Sequence, residues 1–138
     1  MTEAEFRQLL ARLADAWGRR DYAAAAACFA EDVWYADPLR YQLQGRRALR
    51  AFFEADEGLP QRTEWHTVVF DAAAQRGAAE YSYEGTHRYH GVALIAVQAE
   101  VITHWREYQH VDARPWAEFT AATPGLAPPF TAPRSTVV

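Results

Sequence analysis

The sequence has little of three features that would each indicate a whole class of protein. Its single cysteine, Cys28, excludes an internal disulfide and a cysteine-based metal cluster, and the Ala-rich surroundings predict a small packed residue. Basic residues do not dominate, since 14 Lys and Arg stand against 18 Asp and Glu for a net charge of −4. That balance argues against nucleic acid and anionic membranes as main partners. Without a leader or an apolar run long enough to span a bilayer, the expected location is cytoplasmic.

Metal-binding patterns are also missing. The five histidines show neither HxH nor HExxH spacing, so the sequence predicts no metal site and requires no cofactor. Half of the 138 residues are hydrophobic, which suits one compact domain. We place this domain at residues 1–123 and interpret the Pro-rich residues 124–138 as a tail that is mobile or lies over the surface.

Three helices are predicted in the first half of the chain. Apolar residues recur at helical spacing from Glu3 to Arg20, with the helix ending near Gly18. Asp21 can cap a second helix over Tyr22 to Ala30, because its carboxylate can accept the free N–H groups of the first turn. A third helix is expected from Arg46 to Asp56, ended by a Gly and a Pro.

The second half of the chain changes to an alternating pattern typical of strands. After a short strand at Val33–Asp37 and a loop, four long strands form an antiparallel meander, bent at His90-Gly91; they are Thr63–Ala72, Ala78–Tyr89, Val92–Gln98 and Val101–His110. A short helical turn is expected near Trp116. Helices followed by strands predict an α+β fold, in which a curved antiparallel sheet wraps around the N-terminal helices and leaves a cone-shaped cavity for a small molecule.

The strand at Val101–His110 carries polar groups on both faces. A strand this long in a short chain is expected to be central, so these groups need a cavity or a second subunit as partner; a solvated edge strand is the alternative. The face predicted to line the cavity carries Thr103, Trp105, Glu107 and Gln109. The outer face mixes aromatic and cationic groups typical of interfaces, which predicts a homodimer packed through the outer sheet faces; its residues are His104, Arg106, Tyr108 and His110.

Two carboxylates are candidates for acid–base chemistry. Asp37 ends a strand on the same face as Tyr35, where burial would raise the pKa of the acid and the Tyr35 hydroxyl could donate a hydrogen bond. Glu107 shares a face with Trp105 and would be the partner of Asp37. Each carboxylate has a structural alternative, because an Asp before Pro38 suits a turn and Glu107 suits an ion pair with an arginine across the sheet.

Residues 81–87 alternate aromatic and polar side chains. We assign the face with Tyr81, Tyr83 and His87 to the cavity, because aromatic rings gain more from burial than the Glu on the other face does. His87 is then a candidate proton shuttle, and a structural histidine bonded to a backbone carbonyl is the alternative. The expected substrate-binding wall consists of Trp105, Tyr83, Tyr81, Trp17 and Phe53.

The order of elements and three motifs resemble the nuclear transport factor two-like superfamily, particularly its SnoaL-like and limonene-epoxide-hydrolase-like branches, over about residues 4–120. Tyr35-Ala36-Asp37-Pro38 is similar to the Tyr-x-Asn stretch that helps hold the attacking water in those hydrolases. Trp105-Arg106-Glu107-Tyr108 is similar to their Trp-Arg-Asp-Tyr, which would make Glu107 the carboxylate that activates the water. Gly85-Thr86-His87 is similar to the Gly-x-His segment of SnoaL-like cyclases, whose histidine lines the pocket.

Other residues of these families have no counterpart. Tyr81 and Tyr83 stand where the hydrolases have an Arg-x-Asp pair, and Val92–Gln98 contains no acid where the cyclases have their catalytic Asp. The resemblance as a whole implies a cone-shaped α+β fold, often dimeric, in a superfamily that includes both enzymes and noncatalytic binders.

Two hypotheses for function follow. The first is a SnoaL-like enzyme that uses carboxylate acid–base chemistry on an apolar or aromatic small molecule, by isomerisation, hydration, dehydration or cyclisation. Its catalytic residues would be Asp37, Glu107, His87 and Tyr35. The second is a noncatalytic module whose aromatic residues bind a small ligand.

Overall fold

The structure of the chain, a computed structural model, describes residues 1–57 and 61–121. The helices in these ranges are α1 Glu3–Gly18, α2 Tyr22–Ala27, α3 Arg46–Glu54 and α4 Trp116–Ala121. The strands are β1 Phe29–Asp37, β2 Tyr41–Gln44, β3 Arg62–Asp71, β4 Arg76–Glu84, β5 Arg88–Gln98 and β6 Val101–Asp112. The predicted tail at 124–138 and the predicted helix-ending residues Gly58 and Pro60 lie outside the described residues.

Helix α1 forms where the apolar spacing predicts it. A capping box fixes its start, because the Thr2 hydroxyl accepts the Glu5 N–H and the Glu5 carboxylate accepts the Thr2 N–H. One face of the helix is buried, and its members are Phe6, Leu9, Leu10, Leu13, Ala16 and Trp17. Each large apolar side chain on this face contributes about 1.5–3 kcal/mol when fully buried, so burial anchors the helix to the sheet.

Helix α2 is shorter than predicted. Asp21 caps it as expected, with the carboxylate accepting the Ala24 N–H at 2.9 Å. The helix ends at Ala27 instead of Ala30, because Phe29 already belongs to β1, where it pairs with Ile102 and is fully buried. Local helix propensity extends through the Ala-rich run, but burial of the Phe29 ring in the sheet outweighs it.

The strands form one curled, unclosed sheet in the order β2-β1-β6-β5-β4-β3. Strands β3 to β6 make the predicted antiparallel meander. Strand β6 is interior, as expected, so the edge-strand alternative is wrong. Strand β1 pairs with β6 in parallel, so the sheet, predicted as antiparallel, is mixed. The α+β fold class is confirmed.

Two connections differ from the prediction. Residues 41–44, predicted as loop, form β2 in an antiparallel hairpin with β1. Strand β4 ends at Glu84, and the turn at Gly85–His87 is closed by a 2.9 Å hydrogen bond from the Gly85 N–H to the His87 carbonyl. His90 and Gly91 therefore lie inside β5, where a bend was expected.

Cys28 is buried, as its surroundings predict. Across residues 1–57 and 61–121, no helix has both the length and the hydropathy needed to cross a membrane. The cytoplasmic location stays a prediction.

Candidate active site

A cavity of about 330 Å³ is lined by residues of the sheet and of helices α1, α2 and α3. Eleven of its nineteen lining residues are aromatic, which makes the wall apolar with a few polar groups. The aromatic members are Trp17, Tyr22, Tyr35, Tyr41, Phe52, Phe53, Trp65, Tyr81, Tyr83, Tyr89 and Trp105. The polar members are Arg40, Asp56, Gln61, Thr63, Thr86, Glu107 and Gln109.

The polar centre of this cavity is the carboxylate of Glu107, which is 2% exposed. Its Oε1 accepts the Tyr35 hydroxyl at 2.9 Å and a short hydrogen bond from the Tyr41 hydroxyl. Its Oε2 accepts the Tyr81 hydroxyl at 2.7 Å and the Trp105 indole N–H at 2.8 Å. A carboxylate offers about four acceptor positions. All of them are therefore occupied by neutral donors from β1, β2, β4 and β6.

Burial raises the pKa of Glu107 above its ordinary value of 4.5, while the hydrogen bonds from the three phenols and the indole act in the opposite direction. Burial, followed by the nearby charge of Glu107, raises the pKa of Tyr35, Tyr41 and Tyr81 well above the ordinary phenol value. The three phenols therefore stay protonated and act as donors. Glu107 is the member of this cluster that gains and loses a proton most readily.

Tyr81 reaches Glu107 across β5, the strand that separates β4 from β6. Gly91 of β5 pairs with Tyr81, and Ala93 pairs with Glu107. A Cβ atom on Gly91 would lie 2.7 Å from both Cζ and Oη of Tyr81. The absence of a side chain at Gly91 is therefore what lets the phenol ring lie over β5 and bond to the carboxylate.

We expect Gly91→Ala to destabilise the fold by about 1–3 kcal/mol, because the added methyl overpacks the Tyr81 ring. Gly18→Ala is the matched control, since a Cβ there would meet its nearest atom, the Gln61 carbonyl oxygen, at an ordinary 3.5 Å. Urea unfolding of both variants measures the difference. Equal free energies of unfolding for the two variants would contradict this account of Gly91.

A hydrogen-bond chain continues from the carboxylate along the cavity wall. Gln109 Nε2 donates to the Tyr81 hydroxyl at 2.8 Å, and Gln109 Oε1 lies 3.4 Å from Nη1 of Arg40. The Arg40 guanidinium lies over the Tyr89 ring at 5.6 Å and its Nε is 3.7 Å from Oδ2 of Asp37. The Tyr81 hydroxyl oxygen thus accepts a hydrogen bond from Gln109, while its proton is donated to Glu107. Gln109 therefore orients the Tyr81 hydroxyl toward the carboxylate.

The predicted site residues divide into two groups. Glu107, Tyr35 and all five residues of the expected substrate-binding wall line the cavity; those five are Trp105, Tyr83, Tyr81, Trp17 and Phe53. Asp37 and His87 do not line it. The Asp37 carboxylate accepts the Leu39 N–H at 2.9 Å, as an Asp in a turn does. His87 lies in the β4–β5 turn, where its ring makes a T-shaped contact with the Tyr89 ring, with centres 6.0 Å apart.

Tyr41 is the main site residue that the sequence analysis missed. Its hydroxyl reaches Glu107 because β2 pairs with β1, with Tyr41 opposite Asp37. The signal was present, since Tyr41-Gln42-Leu43-Gln44 alternates apolar and polar residues just after an Asp-Pro turn, a hairpin pattern. Within the described ranges, no group of three or more His, Cys, Asp or Glu is arranged to hold a metal ion.

The burial of Glu107 predicts a pH dependence of stability. Its raised pKa means that the folded protein keeps a proton that the unfolded chain releases. As pH rises from 4.5 to the raised pKa, the wild-type protein should therefore lose stability relative to Glu107→Gln, by about 1.4 kcal/mol for each pH unit in that interval. Thermal and urea unfolding over this pH range measure the difference. The exposed Glu64→Gln is the control, and a pH-independent difference for Glu107→Gln would contradict the prediction.

The chain is similar to known proteins in both sequence and structure. The family model of the SnoaL-like domain matches residues 10–110. A search of curated proteins found no match. Three solved structures that resemble this chain come from Burkholderia xenovorans, Mycobacterium tuberculosis and Catenulispora acidiphila.

The B. xenovorans structure is an NTF-2 like protein of unknown function, 19% identical, with a TM-score of 0.68 over 84% of this chain and 92% of that one. The M. tuberculosis structure is an epoxide hydrolase of the LEH-like type, 15% identical, with a TM-score of 0.66 over 78% and 84%. The C. acidiphila structure is a hypothetical protein with a ketosteroid isomerase-like fold in complex with trimethylamine, 19% identical, with a TM-score of 0.63 over 72% and 83%. At these identities the similarity establishes the fold alone.

Proposed function

Because the chain belongs to the SnoaL-like domain family, we propose that its cavity binds a small, largely apolar or aromatic molecule and acts on it by carboxylate acid–base chemistry. The observation that carries this proposal is Glu107, a buried carboxylate of raised pKa at the polar centre of an aromatic cavity. Perturbed acids in a cleft are typical of catalytic sites. The trimethylamine complex of the C. acidiphila protein supports a small organic molecule as the kind of ligand.

The occupied acceptor positions of Glu107 constrain how a proton reaches it. A substrate cannot bond directly to this carboxylate unless one of the four donors moves aside. Tyr41 offers a relay, since it is less buried than Tyr35 and Tyr81 and lines the cavity. The substrate gives its proton to the Tyr41 hydroxyl oxygen while the hydroxyl proton passes to Oε1 of Glu107.

The reverse movement returns the proton and restores the ionised carboxylate. If the proton returns to a different atom of the substrate, the result is an isomerisation; if it goes to a leaving hydroxyl, the result is a dehydration. Neither Asp37 nor His87 lines the cavity, so we assign the role of base to Glu107 and that of proton relay to Tyr41. Tyr35 and Tyr81 stabilise the carboxylate as donors.

This assignment predicts a difference between two phenols that bond to the same oxygen. Tyr41→Phe removes the relay and should lower turnover by about 10²–10⁴-fold. Tyr35→Phe removes the other donor to Oε1 and should retain turnover within about tenfold, because the relay is intact. Proton transfer is measured by NMR, as deuterium incorporation from heavy water into a panel of ketones with acidic α-hydrogens.

Asp37→Asn serves as the second control in this experiment. The Asn side-chain oxygen can still accept the Leu39 N–H, so the turn and the rate of exchange should both persist. Loss of exchange in Asp37→Asn with normal exchange in Tyr41→Phe would contradict the assignment and return the role of base to Asp37.

A noncatalytic binding module is the second candidate function. The observation that favours it is the same complete set of donors around Glu107, because a fully satisfied carboxylate also suits a fixed structural cluster. Ligand binding by panel members without exchange or turnover in the wild-type protein would favour the binding module over the enzyme.

We also propose that the protein is a homodimer that packs through the outer sheet face. Apolar side chains are exposed at the middle of this face, with Leu94 49% exposed, Tyr108 40% and Val92 37%. Leu94 lies opposite Arg106 on β6, whose guanidinium lies 5.4 Å from the Tyr108 ring centre. Aromatic residues and arginine of this kind are enriched at protein interfaces.

Light scattering of the wild-type protein at micromolar concentration should give twice the chain mass of 15.6 kDa. Leu94→Glu should shift this mass to that of the monomer, because it places a charge at the centre of the interface. Leu39→Glu is the control, since Leu39 is 87% exposed in the β1–β2 turn, away from the sheet face. A monomeric wild-type protein would contradict the proposal.

A further inference from the structure

Among the described residues, the charge of Glu107 has no counter-ion. Its four partners are neutral donors, and no ion pair to this carboxylate occurs among residues 1–57 and 61–121. Neutral donors solvate a carboxylate but leave its net charge in place, and a buried net charge costs free energy unless an opposite charge is near. Glu84 on the outer sheet face shows the contrast, because it lies 3.0 Å from Arg62 and 2.7 Å from Arg88.

Among the described residues that line the cavity, Arg40 is the cation and Asp56 is the second carboxylate, which is only half-buried. Arg40 lies near Asp37 and over the Tyr89 ring. Asp56 accepts the hydroxyl groups of Tyr83 and Thr86 at 3.0 and 2.7 Å. Because Arg40 is paired with Asp37, no cation of the described residues lies within ion-pair distance of Glu107, the more deeply buried of the two carboxylates.

Three tryptophan rings line the cavity around this charge. Trp105 is nearly perpendicular to Trp17, at 89° with ring centres 6.3 Å apart, and steeply inclined to Trp65, at 64° and 6.4 Å. All three rings line the cavity. The faces of aromatic rings are electrically negative and attract organic cations, by about 2 kcal/mol or more where water is excluded.

We infer that the ligand of this cavity is an organic cation, a quaternary ammonium with apolar substituents, whose charge is balanced by Glu107 and whose alkyl groups pack against Trp17, Trp65 and Trp105. The inference rests on the proposed function and names its substrate class. The occupied acceptor positions select the type of cation. A primary ammonium would bring three N–H donors that Glu107 cannot accept, whereas a fully alkylated nitrogen needs no hydrogen bond.

Three para-substituted phenols of similar shape and different charge test the inference. They carry a para-trimethylammonium, a para-tert-butyl or a para-sulfonate group, so the net charge at one end is positive, zero or negative. Calorimetric titration of the wild-type protein should give the cation an affinity about tenfold or more above that of the neutral phenol, with the sulfonate weakest. Tightest binding of the sulfonate would overturn the inference and assign the ligand charge to Arg40.

Glu107→Gln isolates the electrostatic contribution. It should bring the affinity ratio of cation to neutral phenol close to one. Glu64→Gln, an exposed carboxylate outside the cavity, should keep the wild-type ratio. A cation preference that survives in Glu107→Gln would overturn the role of this residue.

A titration of the wild-type protein gives the same answer if Glu107→Gln does not fold. The affinity for the cation should fall as pH falls through the raised pKa of Glu107, and the affinity for the neutral phenol should not. The other titratable groups that face this carboxylate, Tyr35 of β1, Tyr41 of β2 and Tyr81 of β4, stay protonated throughout. A pH-independent affinity for the cation would contradict the inference.

The outcomes separate this inference from the proposed function. If the neutral phenol binds as tightly as the cation, the cavity remains a site for small aromatic molecules and only the inference fails. If none of the three phenols binds, both the inference and the proposed binding of aromatic molecules fail.

Discussion

The structure depends on the hydrogen bonds that satisfy one buried carboxylate. Glu107 lies at the centre of β6 and is held by donors from β1, β2, β4 and β6 itself. An unpaired carboxylate in such a place would cost several kcal/mol, so each donor must reach it with good geometry. The requirement links strands on both sides of β6, because β2 is an edge strand on one side and β4 lies on the other.

The pairing of β1 with β6 supplies the first half of this arrangement. In the parallel register, Tyr35 lies opposite Trp105, and the two rings stack with an interplanar angle of 4° and centres 5.7 Å apart. A shift of one residue would turn Tyr35 to the outer face, because strand side chains alternate. The stacked aromatic pair therefore helps to fix the register that brings the Tyr35 hydroxyl to Glu107.

Strand β5 supplies the second half of this arrangement, because its small residues leave space for the Tyr81 ring. Gly91 and Ala93 are small where Tyr81 crosses toward Glu107, so the phenol can span an intervening strand. The same hydrogen-bonded cluster determines the chemistry of the cavity. Neutral donors hold the carboxylate in place without removing its charge, which leaves the cavity with an acid whose pKa is raised and whose charge a bound ligand can balance.

Much of this follows from local sequence patterns. The capped helix α1, the antiparallel meander β3–β6, the inward face of Trp105 and Glu107 and the aromatic wall were all predictable, because periodicity and propensity act over a few residues. Helix α2 was predicted too long and β2 was missed, because the burial of Phe29 and the pairing of Tyr41–Gln44 with β1 involve residues far apart in the chain.

The site itself was decided by tertiary structure. The sequence identified Asp37, Glu107, Tyr35 and His87 as candidates but could not say which of them meet. Strand β4 ends at Glu84, so His87 lies in a turn and not among the lining residues, and the Asp37 carboxylate bonds within its own turn. Local patterns assign a residue to a face of a strand. Only the parallel pairing of β1 with β6 and the small residues of β5 determine which side chains reach the same carboxylate, because those contacts join strands from opposite sides of the sheet.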